Sequence, residues 1–470
     1  MPEHQRAATM SAPDATLDLE AVRGSVRGRV IAPGDPDYDE ARVVMMGGVD
    51  ARPAVIVRVA GPDDVRTVLA LARASGLPLA VRAGGHSGAA HSTVEAGIVL
   101  DVRDLRDLQV DVPGRSAWVG AGLTAGEVTT RLAEDELALG FGDTGSVGVA
   151  GITLGGGVGY LVRKHGLTID SLLAAEVVTA SGEVLMTDES SHPDLFWALR
   201  GGGGNLGVAT RFRFRLQPLA EVVGGMLVLP ATEATIEGFM AATAQAPDEL
   251  SAIANVMPCP PMPFVPEERH GELVILAMVC WSGAVEAAEE ALAPLRALAT
   301  PIADMLAPMP YPGMYPPEVE DYHPLAVAQT LFMDGVDGAD ARVMLEALTA
   351  SDAPMRVVQL RALGGAMARI PDDATAFAHR SRAVMGNVAA FYEGPDDRAR
   401  REAWVGDLAA RLRDGEGAYV NFLGDEGPDR VRQAYPGATW DRLVAVKRRY
   451  DPDNLFRRNQ NVDPGAGSQH

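Results

Sequence analysis

The chemistry in this 470-residue sequence is concentrated in three glycine clusters, one of which carries a histidine. The first is Arg82-Ala83-Gly84-Gly85-His86-Ser87-Gly88. Paired glycines let successive N–H groups converge on one point, and such a nest holds an anion without lysine or arginine. A phosphate or pyrophosphate is the natural guest; a plain tight turn is the bland alternative. The second cluster spans residues 142–160, with glycine at 142, 145, 148, 151, 155, 156, 157 and 159. Each glycine costs backbone entropy, so this stretch predicts neither an ordinary helix nor a strand, but main chain lying close to a ligand. The third, Gly201-Gly202-Gly203-Gly204-Asn205-Leu206-Gly207, follows Leu195, Phe196 and Trp197 on a short predicted helix. The fragment GGGVGY lacks the G-x-G-x-x-G spacing that opens a dinucleotide-binding helix, so a nicotinamide cofactor is not expected.

These clusters need rigid elements to hold them. Residues 16–50 form a lead-in with a loop at 33–36, and strand and helix then alternate. Residues 55–60 (VIVRVA) alternate like a strand; Val65, Val68, Leu69 and Ala72 recur at helical spacing, and Gly76 stops the helix. Short strands follow at 79–82, 98–102 and 117–120. Thr124 with Glu127 forms a capping box for a helix through Leu132. Runs 176–180 and 183–186 flank Ser181-Gly182 as a hairpin. From 208 to 216, Phe212, Phe214 and Leu216 share one face, and Arg211, Arg213 and Arg215 the other. Beyond about residue 218 the glycine clusters stop. Strand-like runs (273–280, 355–363) alternate there with helix-like ones (284–298, 340–349). A Pro/Met-rich stretch near 306–318 reads as a surface loop, with Met305, Met309 and Met314 as adaptable packing at a pocket mouth. From about 418, tight motifs return.

Composition narrows the function classes. With 41 Lys+Arg against 63 Asp+Glu the formal charge is −22. A field of that sign repels nucleic acid and anionic membrane, so neither is an expected partner. Cys259 and Cys280 are the only cysteines, too few for a disulfide framework, and they read as buried thiols. His165, His192 and His379 stand alone, so no metal is expected. Residues 1–15 and the tail after Pro464 read as disordered. No apolar run of membrane-spanning length or signal-peptide type stands out, and the expectation is a soluble cytoplasmic protein of unknown oligomeric state.

Taken together, RAGGHSGAAHS, GDTGSVGVAGITLGGGVGYLVRKHGLTIDSL and DLFWALRGGGGNLGVAT resemble the FAD-binding domain of vanillyl-alcohol-oxidase, PCMH-type flavoproteins. The similarity is strongest to the berberine-bridge-enzyme-like and hydroxynicotine-oxidase group, whose last segment YVNF, YPGATWDRLVAVKRRYDPDNLF and NQNVDP also resemble. The resemblance implies an α+β fold. An FAD-binding domain (16–217) would precede a substrate domain (218–415) with an antiparallel sheet flanked by helices, and a C-terminal segment (416–464) would return to the first. It implies FAD bonded through His86. Arg82, Ala83, Gly84, Gly85, His86 and Ser87 would wrap the pyrophosphate. Gly148, Gly151, Gly155, Gly157 and Gly159 would lie along the cofactor, Gly202, Asn205, Gly207 and Val208 near its adenosine end, and Asn421 and Asn461 near the flavin ring.

Two departures from that group matter. A second link through cysteine in G-x-C-x-x-V-G falls here on Thr144, whose hydroxyl cannot form a thioether, so a single covalent attachment is expected. A tyrosine used by alcohol-oxidising relatives after GGG is here Val158. Val147 stands where relatives with a small residue admit dioxygen, which favours an oxidase.

The flavin would take two electrons while the protein positions a C–H bond and manages a proton. Tyr419, sharing a strand face with Asn421 by the period-two rule, is the preferred phenol for that proton, and Tyr435 the second choice. In the strand at 355–363, Val358, Leu360 and Ala362 form an apolar face. Gln359 and Arg361 point the other way, over the flavin or simply to solvent, and Arg361 is a candidate for binding a carboxylate or enolate. The expected reaction is hydride removal from an alcohol, amine or natural-product intermediate, with dioxygen as acceptor and hydrogen peroxide as product. Two alternatives are a flavin-dependent oxygenating tailoring enzyme and a non-catalytic flavin-binding protein.

Overall fold

The computed structural model describes residues 17–315 and 321–465. The expected disorder at 1–15, residues 316–318 of the Pro/Met stretch and the tail beyond 465 lie outside them. No described helix is long and apolar enough to cross a membrane.

The lead-in is part of the fold. Its strand Arg29–Ile31 pairs antiparallel with Val55–Arg58, which runs parallel to Ile98–Asp101, itself parallel to Leu79–Arg82. Helix Pro62–Ser75 crosses between strands of this sheet, with its buried residues at the predicted spacing and Gly76 left-handed (φ +69°) after its last turn. A second, antiparallel sheet runs in the order Leu108–Asp111, Ser116–Gly120, Val208–Arg215, Leu172–Val178, Val184–Thr187. Phe212 and Phe214 are buried in it. The Thr124–Glu127 capping box opens helix Ala125–Ala133 as predicted.

The third sheet is the roof. Strand Arg356–Ala362 lies between Leu250–Pro258 and Val384–Phe391, with Leu273–Trp281, Val222–Pro230 and Ala326–Met333 further out, all antiparallel. Helices Glu233–Gln245, Ala288–Arg296, Gly338–Ala350 and Pro395–Leu412 cover one face, burying Val358 and Leu360 against Phe239, Met344 and Leu408 in one apolar cluster. Burial of an aliphatic side chain contributes roughly 1.5–3 kcal/mol. That term fixes which side of the strand faces the helices, and the opposite face of period-two residues is turned to the glycine clusters. The fold is α+β.

Three expectations are corrected. Residues 149–155 are a short α-helix, Val149–Gly155, despite their glycines. Ala150, Ile152 and Leu154 bury enough apolar surface to hold the turns. The segment after Ala418 is a 3-10 turn, Val420–Phe422, not a strand. The Pro/Met stretch is not all surface: Tyr311 and Met314 are buried with Ile253 and Cys280, Met309 packs against them, and of the three methionines only Met305 is exposed. Both cysteines are buried free thiols.

Candidate active site

The glycine clusters meet each other. A β-carbon on Gly84 would strike the backbone nitrogen of Gly148, and one on Gly148 would strike that of Gly84. Gly85, at φ +77°, makes the left-handed turn that carries His86 past this contact. The His86 ring is half-buried; burial lowers its pKa, opposed by the nearby Ser146 backbone, so the imidazole is neutral at pH 7. Ala83 and Ser87 are also half-buried, and Ser87 Oγ accepts from the His91 N–H at 3.3 Å.

Most of the other glycines approach neighbouring protein atoms on the side a β-carbon would occupy. A side chain on Gly155 would overlap Asn421, one on Gly157 Thr168, one on Gly159 the Phe141 carbonyl, one on Gly202 the Ala198 carbonyl, and one on Gly207 Val177. Gly151 is different: it is exposed, with nothing within 4 Å of a β-carbon. Val208 is buried at the start of its strand, Val147 is half-buried, and Thr144 is exposed on the turn before it.

The C-terminal segment closes over these glycines. Tyr419 is 2% exposed, and its hydroxyl accepts from the Gly157 N–H at 2.9 Å and from Asn421 Nδ2 at 3.0 Å. Asn421 Nδ2 also reaches the Ile152 carbonyl at 3.2 Å. Tyr419 and Asn421 thus converge as expected, but through the 3-10 turn rather than through a shared strand face. Burial raises the Tyr419 pKa, partly offset by Gly157, Asn421 and Arg361. Tyr435 lies elsewhere: its buried hydroxyl has no protein partner and faces Gly203.

Two further side chains are already committed. Arg82 is fully buried and donates to the carbonyls of Ala41, Arg42 (3.2 Å) and Ser92 (3.0 Å), so only its backbone is left for a ligand. Burial pushes its pKa down to about 10. Asn205 holds the tail, donating to Gly202 and Gln460 carbonyls at 2.9 and 3.0 Å and accepting from the Val462 N–H at 2.9 Å. The neighbouring Asn461 Oδ1 is buried without a protein partner.

Arg361 hangs from the roof into this assembly and is 4% exposed, which removes the solvent-facing alternative. Its Nη1 donates to the Val158 carbonyl at 3.0 Å and its Nη2 to the Asp143 carboxylate at 2.7 Å. Gln359 is half-buried beside it. Three groups here were not singled out from sequence: Asp143, Asn255 and Asn387. The signal for the last two is a lone amide inside an apolar strand run, LSAIANVMP and VMGNVAAF.

The residues fit a long polar cofactor. Among the buried polar atoms without a protein partner, some lie in the loop after His86 (His91 Nε2, Ser92 Oγ, Thr93 Oγ1), in helix Val149–Gly155 (Thr153 Oγ1) and in the tail (Asn461 Oδ1). Such atoms cost about 1–3 kcal/mol each when unpaired, so they favour a ligand that pairs them.

Comparison with known proteins agrees. Residues 53–188 match the FAD-binding-domain family and residues 418–463 the berberine and berberine-like family. The chain is 29% identical over 460 residues to (R)-6-hydroxynicotine oxidase of Paenarthrobacter nicotinovorans, covering 94% of this chain and 97% of that protein. It is 30% identical over 458 residues to the FAD-linked oxidoreductase YvdP of Bacillus subtilis (strain 168), covering 93% and 98%. The crystal structure of 6-hydroxy-D-nicotine oxidase from Arthrobacter nicotinovorans superposes with a TM-score of 0.82 at 28% identity, covering 94% and 98%. The chain therefore belongs to the FAD-linked oxidoreductases of the berberine-bridge-enzyme-like group, enzymes built on the PCMH-type FAD-binding fold.

Proposed function

We propose that this enzyme is an oxidase that removes a hydride from a small alcohol, amine or natural-product intermediate and passes the electrons to dioxygen, giving hydrogen peroxide. We assign residues 16–217 and 416–464 to flavin binding and 218–415 to the substrate side. The observation that carries the reading is the backbone contact of Gly84 with Gly148, which holds a neutral, half-buried His86 beside the glycine-lined seam. When bound, FAD supplies the two-electron acceptor.

The chain's own residues do the rest. Neutral His86 is the group for a single covalent link, and Thr144 offers no thiol for a second. Ala83, Gly84, Gly85, Ser87, Gly148 and Gly151 supply N–H groups and close approach. Asn421 and Asn461 would hold polar edges of the flavin ring. Tyr419, pinned by two donors, is the proton-handling phenol nearest that seam. The donors matter because they offset the burial that otherwise opposes a phenolate.

The test is acid precipitation followed by mass measurement and oxygen accounting. Yellow colour in the pellet, an FAD-sized mass increase lost in His86→Ala, and one peroxide per dioxygen consumed are expected. Colour released to the supernatant removes the His86 bond. Dioxygen consumed without peroxide replaces oxidation by oxygen transfer to the substrate.

A further inference from the structure

A guanidinium can donate hydrogen bonds but not accept them. That of Arg361 commits four of its five N–H groups inside the protein. Besides Val158 and Asp143, its Nε and Nη2 both donate to Gln359 Oε1, at 3.1 and 2.8 Å, and it stacks 5.0 Å over the Phe422 ring. Gln359 must therefore turn its oxygen to Arg361 and its NH2 away. That NH2 donates to Asn255 Oδ1 at 2.9 Å, and Asn255 in turn donates to the Leu276 carbonyl at 3.0 Å. One charged side chain sets the polarity of the whole amide row.

The row continues across the sheet. Asn387 is the register partner of Gln359 on the next strand, on the face turned from the helices, and its Oδ1 is buried without a protein partner. Partners in such a pair have β-carbons roughly 5 Å apart. Gln359, with one amide hydrogen not used by Asn255, and Asn387, with its oxygen unpaired, are therefore cross-strand neighbours on one face. A hydroxyl needs one of each. A carboxylate offers only acceptors and an ammonium only donors, and the positive charge of Arg361 is already answered by Asp143.

We propose that Arg361 is a positioning residue that fixes the Gln359 amide, and that Gln359 and Asn387 together hold a hydroxyl of an uncharged substrate. This rests on the roof being the substrate-facing wall of the oxidase. In this role Arg361, paired with Asp143 and Val158, also keeps the roof seated on the glycine segment.

Two measurements test it, both on flavin-loaded protein. The first uses matched probes: benzyl alcohol, 4-carboxybenzyl alcohol and 4-(aminomethyl)benzyl alcohol, and glucose, glucuronate and glucosamine. The neutral member of a set is expected to reduce the flavin anaerobically with kcat/KM about tenfold or more above its charged analogues. Asn387→Leu should raise KM for the neutral member about tenfold, and Asn387→Asp should shift preference toward the ammonium analogue. A charged analogue preferred by the unchanged protein, or an unchanged KM in Asn387→Leu, overturns the proposal. The second needs no substrate: thermal unfolding of Asp143→Asn, Arg361→Gln and the double variant. Losses in the double variant smaller than the sum are expected, with partial rescue by Arg361→Lys; additive losses remove the positioning role. Failure of the oxidase reading would show separately, as protein that is yellow yet gives no peroxide with any reducing probe.

Discussion

Gly84 and Gly148 meet backbone to backbone, leaving no room for a side chain on either. This contact joins the loop that carries His86 to the N-terminal end of helix Val149–Gly155, and a bridge between Thr124 and Gly148 fastens the same point to the start of helix Ala125–Ala133.

Gly148→Ala should therefore separate the two glycine segments. A stability loss of about 1–3 kcal/mol is expected from overpacking, together with reduced flavin content measured by visible absorbance per chain. Gly151→Ala, at an open and exposed position, should cost little stability in denaturant unfolding. Flavin loss in Gly151→Ala with normal folding would mark that open space as cofactor contact.

Tyr419→Phe removes one acceptor and strands two donors, the Gly157 N–H and the Asn421 amide. Unpaired buried donors cost about 1–3 kcal/mol. If the phenol also handles the substrate proton, anaerobic flavin reduction should slow by about 100-fold or more. Full turnover with lowered stability would reduce Tyr419 to a structural strut.

Asn205→Ala cuts three hydrogen bonds, two of which tie the third glycine cluster to the tail. At about 1 kcal/mol each, the loss should be near 3 kcal/mol in denaturant unfolding. Limited proteolysis should then cleave within residues 457–465, the segment carrying Asn461, well before the rest of the chain.

Stability should fall as the solution is acidified from pH 6.5 to 4. Burial pushes the imidazole of His379 down to about 4, and those of His91 and His165 likewise to about 4. In the unfolded chain each titrates near 6.5, so between these values the unfolded state binds protons that the folded state refuses. The slope is at most about 1.4 kcal/mol per pH unit per group. His379 packs on Phe332 at 4.6 Å, so His379→Phe should flatten the pH dependence of Tm without a cavity. An unchanged slope would place the acid sensitivity elsewhere.

Much of this molecule is written locally. The strands 55–58, 79–82 and 208–215, the helix stop at Gly76 and the Thr124–Glu127 box depend on residues a few positions apart, and so they are legible by periodicity and capping. The glycine clusters and His86, in their order, point to an FAD site because their residue types answer a need that is itself local: N–H groups turned toward an anion. What sequence could not supply is pairing over distance. YVNF looks strand-like in isolation, yet among the described residues no strand pairs with it, and the Tyr419 hydroxyl is captured by Gly157 262 residues away. Arg361 looks like a solvent-facing or anion-binding residue until the roof sheet sets it against Asp143, 218 positions earlier. The amide row of Asn255, Gln359 and Asn387 exists only because three strands share one register. Period and capping are properties of a short window of chain; register and the side of a sheet that faces the helices are decided by burial of Val358 and Leu360, which only the assembled core can set.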